Sequence, residues 1–405
     1  MFTEDDYGLN KEDAQVQAQK RRLLAHISLG EQEQRKLIEY CAANIPRDRY
    51  VHPKFMSFDV EHINDQNGQA AVDKARPIII YKKNAHTNEA LLIHKHALGH
   101  LCEIAGLDGR YKTKLNVASH NSWRRELLAT NLNELFGKQR FVNKLKKEAE
   151  FLHRIVGNEL RAVLTQSFNR HLVSAVVLQP FLEVCKECGL MPAKAHITDM
   201  RVHLQTYLPF VFQPYPGEFI AMGSCWGNSD FGEGKLKISH NVLRLNGLGS
   251  FITEDAFSRI HIGSVVEDTD MVLDDKVAVK ELEAIAAASQ SAVREVMKPA
   301  AVQRTLDAIA QAAADKIPWI EIQSKLAKVL GKDDMSTLEG FLTDHIVDLP
   351  MVGMGSDGMP LPSRWWTAAA LAHLAEKQTD TTKVMELKAL SGTFVAPKKK
   401  KEEDV

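Results

Sequence analysis

The hydrophobic pattern of the chain changes period three times. Up to about residue 150 most apolar positions recur at helical spacing, as in Leu37, Ile38 and Cys41 before Pro46, and again in LLATNLNELF after Ser122. One short apolar run, Ile78-Ile-Ile-Tyr81, predicts a strand within an otherwise mixed stretch at 51–90. The run LLIHKHALGHLCEIAGL, from Leu91 to Leu107, reads as a single helix closed at Gly106. Lys138 to Glu150 reads as a basic amphipathic segment.

From Glu159 the pattern shortens. Arg161 to Phe168 and Ala195 to Leu208 predict strands. Between them Ser174 to Cys188 predicts a helix closed by Gly189 and Pro192. Phe219 to Gly263 predicts a strand meander, in which a Gly/Ser/Asn/Asp turn at 223–234 precedes the alternation Lys235-Leu-Lys-Ile-Ser-His240. After about residue 265 the chain becomes Ala-rich and helical, with breaks at Pro299 and Pro318 and a further helix from Arg364. A Gly/Met/Pro loop at 350–363 precedes that last helix, and PKKKKEEDV predicts a disordered tail.

The expectation is therefore an α+β protein: a helical N-terminal region (1–150), a central antiparallel β-rich domain (151–265), an Ala-rich helical C-terminal domain (266–391) and a charged tail (392–405).

Composition narrows the class. The 405 residues carry 51 Lys/Arg against 52 Asp/Glu, and no apolar run reaches the ~18 residues that a membrane span requires. The start, MFTEDDYGLNKED, is acidic, and the five cysteines are odd in number and scattered, so a reducing cytoplasm is expected rather than secretion. Charge is uneven: Arg110 to Leu172 holds 13 Lys/Arg against 5 Asp/Glu, and Glu267 to Pro350 holds 9 against 16. A basic block beside an acidic one suits a polyanion-binding face, or simply helical surfaces of alternating sign.

Catalytic signatures are missing. His96 and His100 share a helix face, but Ala97 stands where a zinc protease needs Glu. Cys185-Lys-Glu-Cys188 lacks a second pair and sits at a helix end, away from the thioredoxin setting. No phosphate-cradling glycine loop, nucleophile elbow or kinase set occurs. No cofactor and no metal is expected.

The basic residues form the strongest lead. Trp123-Arg124-Arg125 and the lysines of 138–147 precede Arg161, Arg170, Arg201, Lys235, Lys237, Arg244 and Arg259. Trp226, Phe231, Phe251 and Phe257 interleave with them. Phosphate contacts need Lys or Arg, and single-stranded bases need aromatic faces. The alternative puts the lysines on a solvated face and the aromatics in the core. Asn228 and His261 complete the candidate nucleic-acid-binding set, on the expectation that Trp226, Asn228, Arg244 and His261 converge on one surface.

Arg161-Ala-Val-Leu-Thr-Gln-Ser-Phe168, the turn around Asn228-Ser-Asp-Phe-Gly232, and Leu243-Arg-Leu245 before Asn246-Gly247 form a recognisable order of features. Arg259-Ile-His-Ile-Gly263 and Trp366-Thr-Ala-Ala-Ala-Leu371 continue it. In that order the chain resembles a phage and plasmid family catalogued as domain of unknown function 932, though the segment between Arg244 and Asn246 is shorter than in that family. The resemblance implies a mobile-element product in a host cytoplasm and supplies no catalytic residue.

Read together, these features lead to a non-enzymatic nucleic-acid-binding protein. Its partner is single-stranded DNA, its setting replication, recombination or annealing, and self-association accompanies cooperative coating. Two rivals remain: a metal-dependent nuclease or hydrolase built around His203, His240 and His261, and a phage structural or host-interaction protein acting through its C-terminal helices.

Overall fold

The computed structural model describes residues 2–7, 9, 13–64, 70–84, 87–108, 122–138, 150–165, 167–247, 249–259, 275–327, 329–343, 352–354 and 360–396. The protein is α+β, with helical N- and C-terminal regions around a central antiparallel sheet. Two helices lead in, α1 (Ala14–Ile27) and α2 (Gly30–Ala43). Asp13 starts α1 by accepting from the Gln15 and Val16 amides, which satisfies two of its orphan donors.

A first six-stranded sheet follows: β1 (Arg47–Val51), β2 (Met56–Asn64), β3 (Ala70–Asn84), β4 (Thr87–Ile93), β5 (Phe151–Val156) and β6 (Glu159–Leu164). Its order is β1-β5-β6-β4-β3-β2, antiparallel except for β4 beside β6. The edge strands β1 and β2 are consecutive in sequence and joined by residues 52–55. Five residue steps reach at most about 18 Å, whereas the edges of a flat six-stranded sheet lie about 24 Å apart. The sheet therefore curls so that its edges approach.

Inside the curl Phe58, Ile79, Tyr81, Leu91 and Ile93 pack on Leu98 and Leu101 of α3 (Lys95–Ile104). Leu128, Leu132 and Phe136 of α4 (Ser122–Gly137) complete this core. The edge of β2 is blunted from α4: the Asn133 side chain accepts from the Phe58 amide and donates to the Phe58 carbonyl, both at 2.7 Å.

This sheet is the main difference from the sequence reading. The run 78–81 is the middle of a fifteen-residue strand, and Leu91 to Ile93 belong to β4, leaving a helix only from Lys95. The first sheet also draws strands from both sides of residue 150. The expected basic segment from Lys138 to Glu150 falls mostly outside the described residues.

α5 (Ser174–Cys188) has the expected bounds and ends on Gly189, whose φ of 81° only glycine adopts without strain. The second sheet comprises β7 (Met191–Ile197), β8 (Val202–Tyr207), β9 (Phe212–Tyr215), β10 (Glu218–Asn228), β11 (Leu236–Arg244) and β12 (Gly249–Arg259). The strand order is β12-β11-β10-β8-β7, with β9 also on β10, antiparallel throughout. The single strand expected from Ala195 to Leu208 is two strands. Thr198 breaks it, its hydroxyl accepting from the Arg201 amide at 2.8 Å and donating to the Arg201 carbonyl at 3.0 Å.

One face of this sheet is apolar, with Leu204, Ile220, Met222, Trp226, Ile238, Val242 and Phe251. It packs on α5 and on the C-terminal helices α6 (Asp275–Met297), α7 (Pro299–Ala314), α8 (Trp319–Leu326), α9 (Lys332–Thr343) and α10 (Arg364–Glu376). Between α9 and α10 lies a short pair, β13 (Val352–Met354) and β14 (Pro360–Pro362).

The other face is covered only in part. Leu23 and Ile27 of α1 pack on Tyr207, Ala221 and Leu243, and Met385 of α11 (Thr381–Val395) packs on Cys225 and Ile252. At Gly392 α11 touches the backbone of β12: a Cβ there would stand 1.8 Å from the Ile252 carbonyl oxygen. Among the described residues no helix is long and apolar enough to cross a membrane.

Candidate nucleic-acid interface

Strand alternation decides where each expected residue points. Trp226, with Leu204 and Ile238 as its cross-strand partners, lies wholly inside the apolar face with Phe181 beside it. Phe231 and Phe251 are buried too. The expectation that these rings stack bases is corrected: a ring with no exposed surface cannot.

Asn228 is also buried, and its amide donates to the Ser174 hydroxyl and Asp230 carboxylate at 3.0 Å and to the Leu172 carbonyl at 3.3 Å. Arg244 pairs across the sheet with Ile220, eight residues along β10 from Asn228, or about 26 Å at strand rise. The expected convergence of Asn228 and Arg244 therefore does not occur. Arg244 instead grips the buried Glu218 in a two-pronged pair of 2.8 and 3.1 Å.

Arg259 is exposed and bonded to Glu281 at 3.0 Å, and Arg161 is paired with Glu159 at 2.7 Å and donates to the Asp199 carbonyl. Arg170 lies over the Tyr50 ring. His261 lies outside the described residues.

The turn at 228–234 fastens the two sheets together. Arg154 of β5, wholly buried, donates to Asp48 of β1 at 2.9 Å and to the carbonyls of Asp230 and Arg170 at 2.6 and 2.9 Å. Asp230 in turn accepts from the Ser174 amide and hydroxyl at 2.7 and 2.8 Å. Burial raises its pKa above the usual carboxylate range, and the Ser174 bonds and the Arg154 charge oppose that shift.

Two histidines of the α3 region reach the same junction. His94 bonds to Asp199 at 2.7 Å, and His96 to the Phe231 carbonyl at 3.1 Å. The small cleft here, lined by Tyr40, Ser174, Asp199, Arg201, Asn228 and Asp230 among others, has room for about one water molecule.

Three of the expected residues do come together, on the face of the second sheet that α1 and α11 cover in part among the described residues. Lys235 and Lys237, two apart across the start of β11, share that face and are exposed. Lys237 is the cross-strand partner of Gly227, which is in turn the partner of His203. The His203 ring lies against Gly227, where any Cβ would stand 2.4 Å from Nδ1, so the glycine makes room for it.

Arg201 completes the group, with Glu233 the nearby carboxylate at 3.8 Å. His203 is pushed down to about 4, first by burial and then by Arg201 and Lys237, so it is neutral at pH 7. Those two charged neighbours mark a locally positive patch. His203 was expected only as a hydrolase ligand; its two-residue offset from Arg201 on an alternating strand was the available signal for this place.

The hydrolase constellation is not assembled by His203 and His240, which occupy opposite faces of the sheet. His240 faces α7, where Nδ1 lies 3.2 Å from the Thr305 hydroxyl, and burial holds it down to about 4. His100 meets the Val163 amide. Among the described residues no three His, Cys, Asp or Glu side chains gather as a metal-holding group. Cys185 and Cys188 are buried, and desolvation pushes both thiols up, away from thiolate chemistry.

No protein-family model and no curated protein matches the chain. A solved structure described as a membrane protein from Pseudomonas aeruginosa aligns over 95% of this chain and 90% of its own. It does so at 8% identity and a TM-score of 0.12, too low for a shared fold.

Proposed function

We propose that the protein binds nucleic acid, single-stranded DNA in preference, and does no bond chemistry on it. The observation that carries this reading is the sheet end where Arg201 and Lys237 act on the neutral His203 ring and Lys235 stands exposed beside them, with Glu233 3.8 Å from Arg201. Phosphate needs such a cluster and makes few other geometric demands. The sequence resemblance supports a phage or plasmid origin and a host cytoplasm, and a role in replication, recombination or annealing follows from single-strand binding. None of the five cysteines is in a disulfide, which fits a reducing compartment.

The test is binding of a labelled single strand to the full chain across a salt series, with and without divalent metal. Affinity should fall linearly on a log–log plot, and Lys235→Ala with Lys237→Ala should reduce the slope by about 1.4, roughly 0.7 for each phosphate contact on a single strand. No binding at low salt refutes the proposal, and cleavage on adding metal replaces it with the nuclease reading.

A further inference from the structure

Single strands are held by stacking as well as by charge, and the rings expected for stacking are core. Exposed rings do exist elsewhere. Among the described residues the Phe, Tyr and Trp side chains more than a third exposed are Tyr50 at 37%, Phe55 at 46% and Trp123 at 53%. Each has a cation against its ring: Arg170 at 5.8 Å from the Tyr50 centroid, Lys54 at 4.8 Å from Phe55 and Arg124 at 5.4 Å from Trp123.

All three lie on the first sheet or on elements that adjoin it. Tyr50 is on β1, Phe55 is on the turn that joins β1 to β2, and Trp123 opens α4, which packs against that turn. An exposed ring gains little in water, and a surface cation–π pair contributes only about 0.5–1 kcal/mol, so folding alone gives weak reason for three of them. A ring beside a fixed cation offers a π-face to a base and a positive charge to its phosphate in one place.

We propose that Tyr50, Phe55 and Trp123 are base-stacking positions for a single-stranded nucleic acid, with Arg170, Lys54 and Arg124 contacting its phosphates. The proposal rests on the nucleic-acid reading above and adds to it three further contact positions and a reason to prefer single strands. A paired duplex buries its base faces and offers these rings nothing.

Trp123 supplies its own readout, because the other four tryptophans, Trp226, Trp319, Trp365 and Trp366, are buried. Titrating the full chain with oligo-dT should quench the red-shifted, acrylamide-accessible part of the emission, and Trp123→Phe should abolish that quench. Phe55→Ala and Trp123→Ala should each weaken single-strand binding about 5- to 100-fold while leaving duplex binding unchanged.

Salt-dependent binding that persists with no quench and no loss in either variant overturns the stacking proposal and leaves the basic patch standing. Equal affinity for duplex and single strand overturns it as well. Absence of any binding at low salt overturns the functional reading and this proposal together. Circular dichroism of each variant establishes that it is folded.

Discussion

Replacing Arg154 by Met tests whether the two sheets are held as one body by a single buried guanidinium. Met keeps an unbranched apolar stem and removes the charge. The structure then loses the Asp48 pair at 2.9 Å and the donors to the Asp230 and Arg170 carbonyls. Stranding one member of a buried ion pair costs about 3–5 kcal/mol, and each carbonyl left without its donor adds roughly 1–3 kcal/mol before relaxation. These terms overlap, so a net loss of about 4–6 kcal/mol is expected, a large share of the ~5–15 kcal/mol that stabilises an ordinary domain.

Urea unfolding followed by two probes is the appropriate assay. Four of the five tryptophans report on the second sheet and its helices, whereas far-UV dichroism reports on the whole chain. In Arg154→Met the dichroism transition should move to lower urea than the fluorescence transition, as the first sheet detaches. Adding Asp48→Asn should recover part of the loss, because the stranded charge is gone. A loss below about 1 kcal/mol with coincident transitions would refute the argument.

Acid should destabilise the fold through buried neutral histidines. Burial lowers His153 and His196 to about 3 and His240 to about 4 from an ordinary 6.5. Their contribution is therefore full above about 6.5 and is lost as pH falls toward the folded values, at up to roughly 1.4 kcal/mol per unit per histidine. Urea midpoints that stay constant from pH 7 to pH 5 would contradict this. Gly392→Ala should cost about 3 kcal/mol, because the new methyl meets the Ile252 carbonyl and α11 must lift from β12; thermal unfolding measures it, and an unchanged midpoint would show that the contact relaxes freely. Glu218→Gln should cost about 3 kcal/mol in the same assay by leaving the Arg244 guanidinium without its carboxylate, and a neutral result would mean that solvent reaches the pair.

The second half of the fold was legible because its signals are local. The Ser174–Cys188 helix stops at a glycine with positive φ, and the Lys235 to His240 alternation marks the start of a strand, with Lys235 and Lys237 exposed and Leu236 and Ile238 buried. The first sheet was not legible, because its pairings are not local. β1 and β5 meet across a hundred residues, with Asp48 opposite Arg154, and nothing in either segment alone encodes that register. The split at Thr198 was hidden by apolar residues that continue on both sides of a two-residue reversal.

Counting charge along the chain located the basic surface poorly, for a physical reason. A run of arginines in sequence includes those whose guanidinium is the structural cross-link, and Arg154 and Arg244 are both of that kind. Planar, five-donor side chains are what a fold uses to tie two strands or two sheets together in the interior. Lysine rarely serves there, so Lys235 and Lys237, offset by two on an alternating strand, were predictable as exposed, while the neighbouring Arg244 was not. Aromatic rings follow the same logic. Trp226 sits mid-strand on the apolar face and is therefore core, whereas Phe55 sits in a turn and Trp123 at a helix start, where packing is one-sided and a ring can remain in solvent. Position within the element, more than residue type, separates a ring that stabilises the fold from one free to meet a ligand.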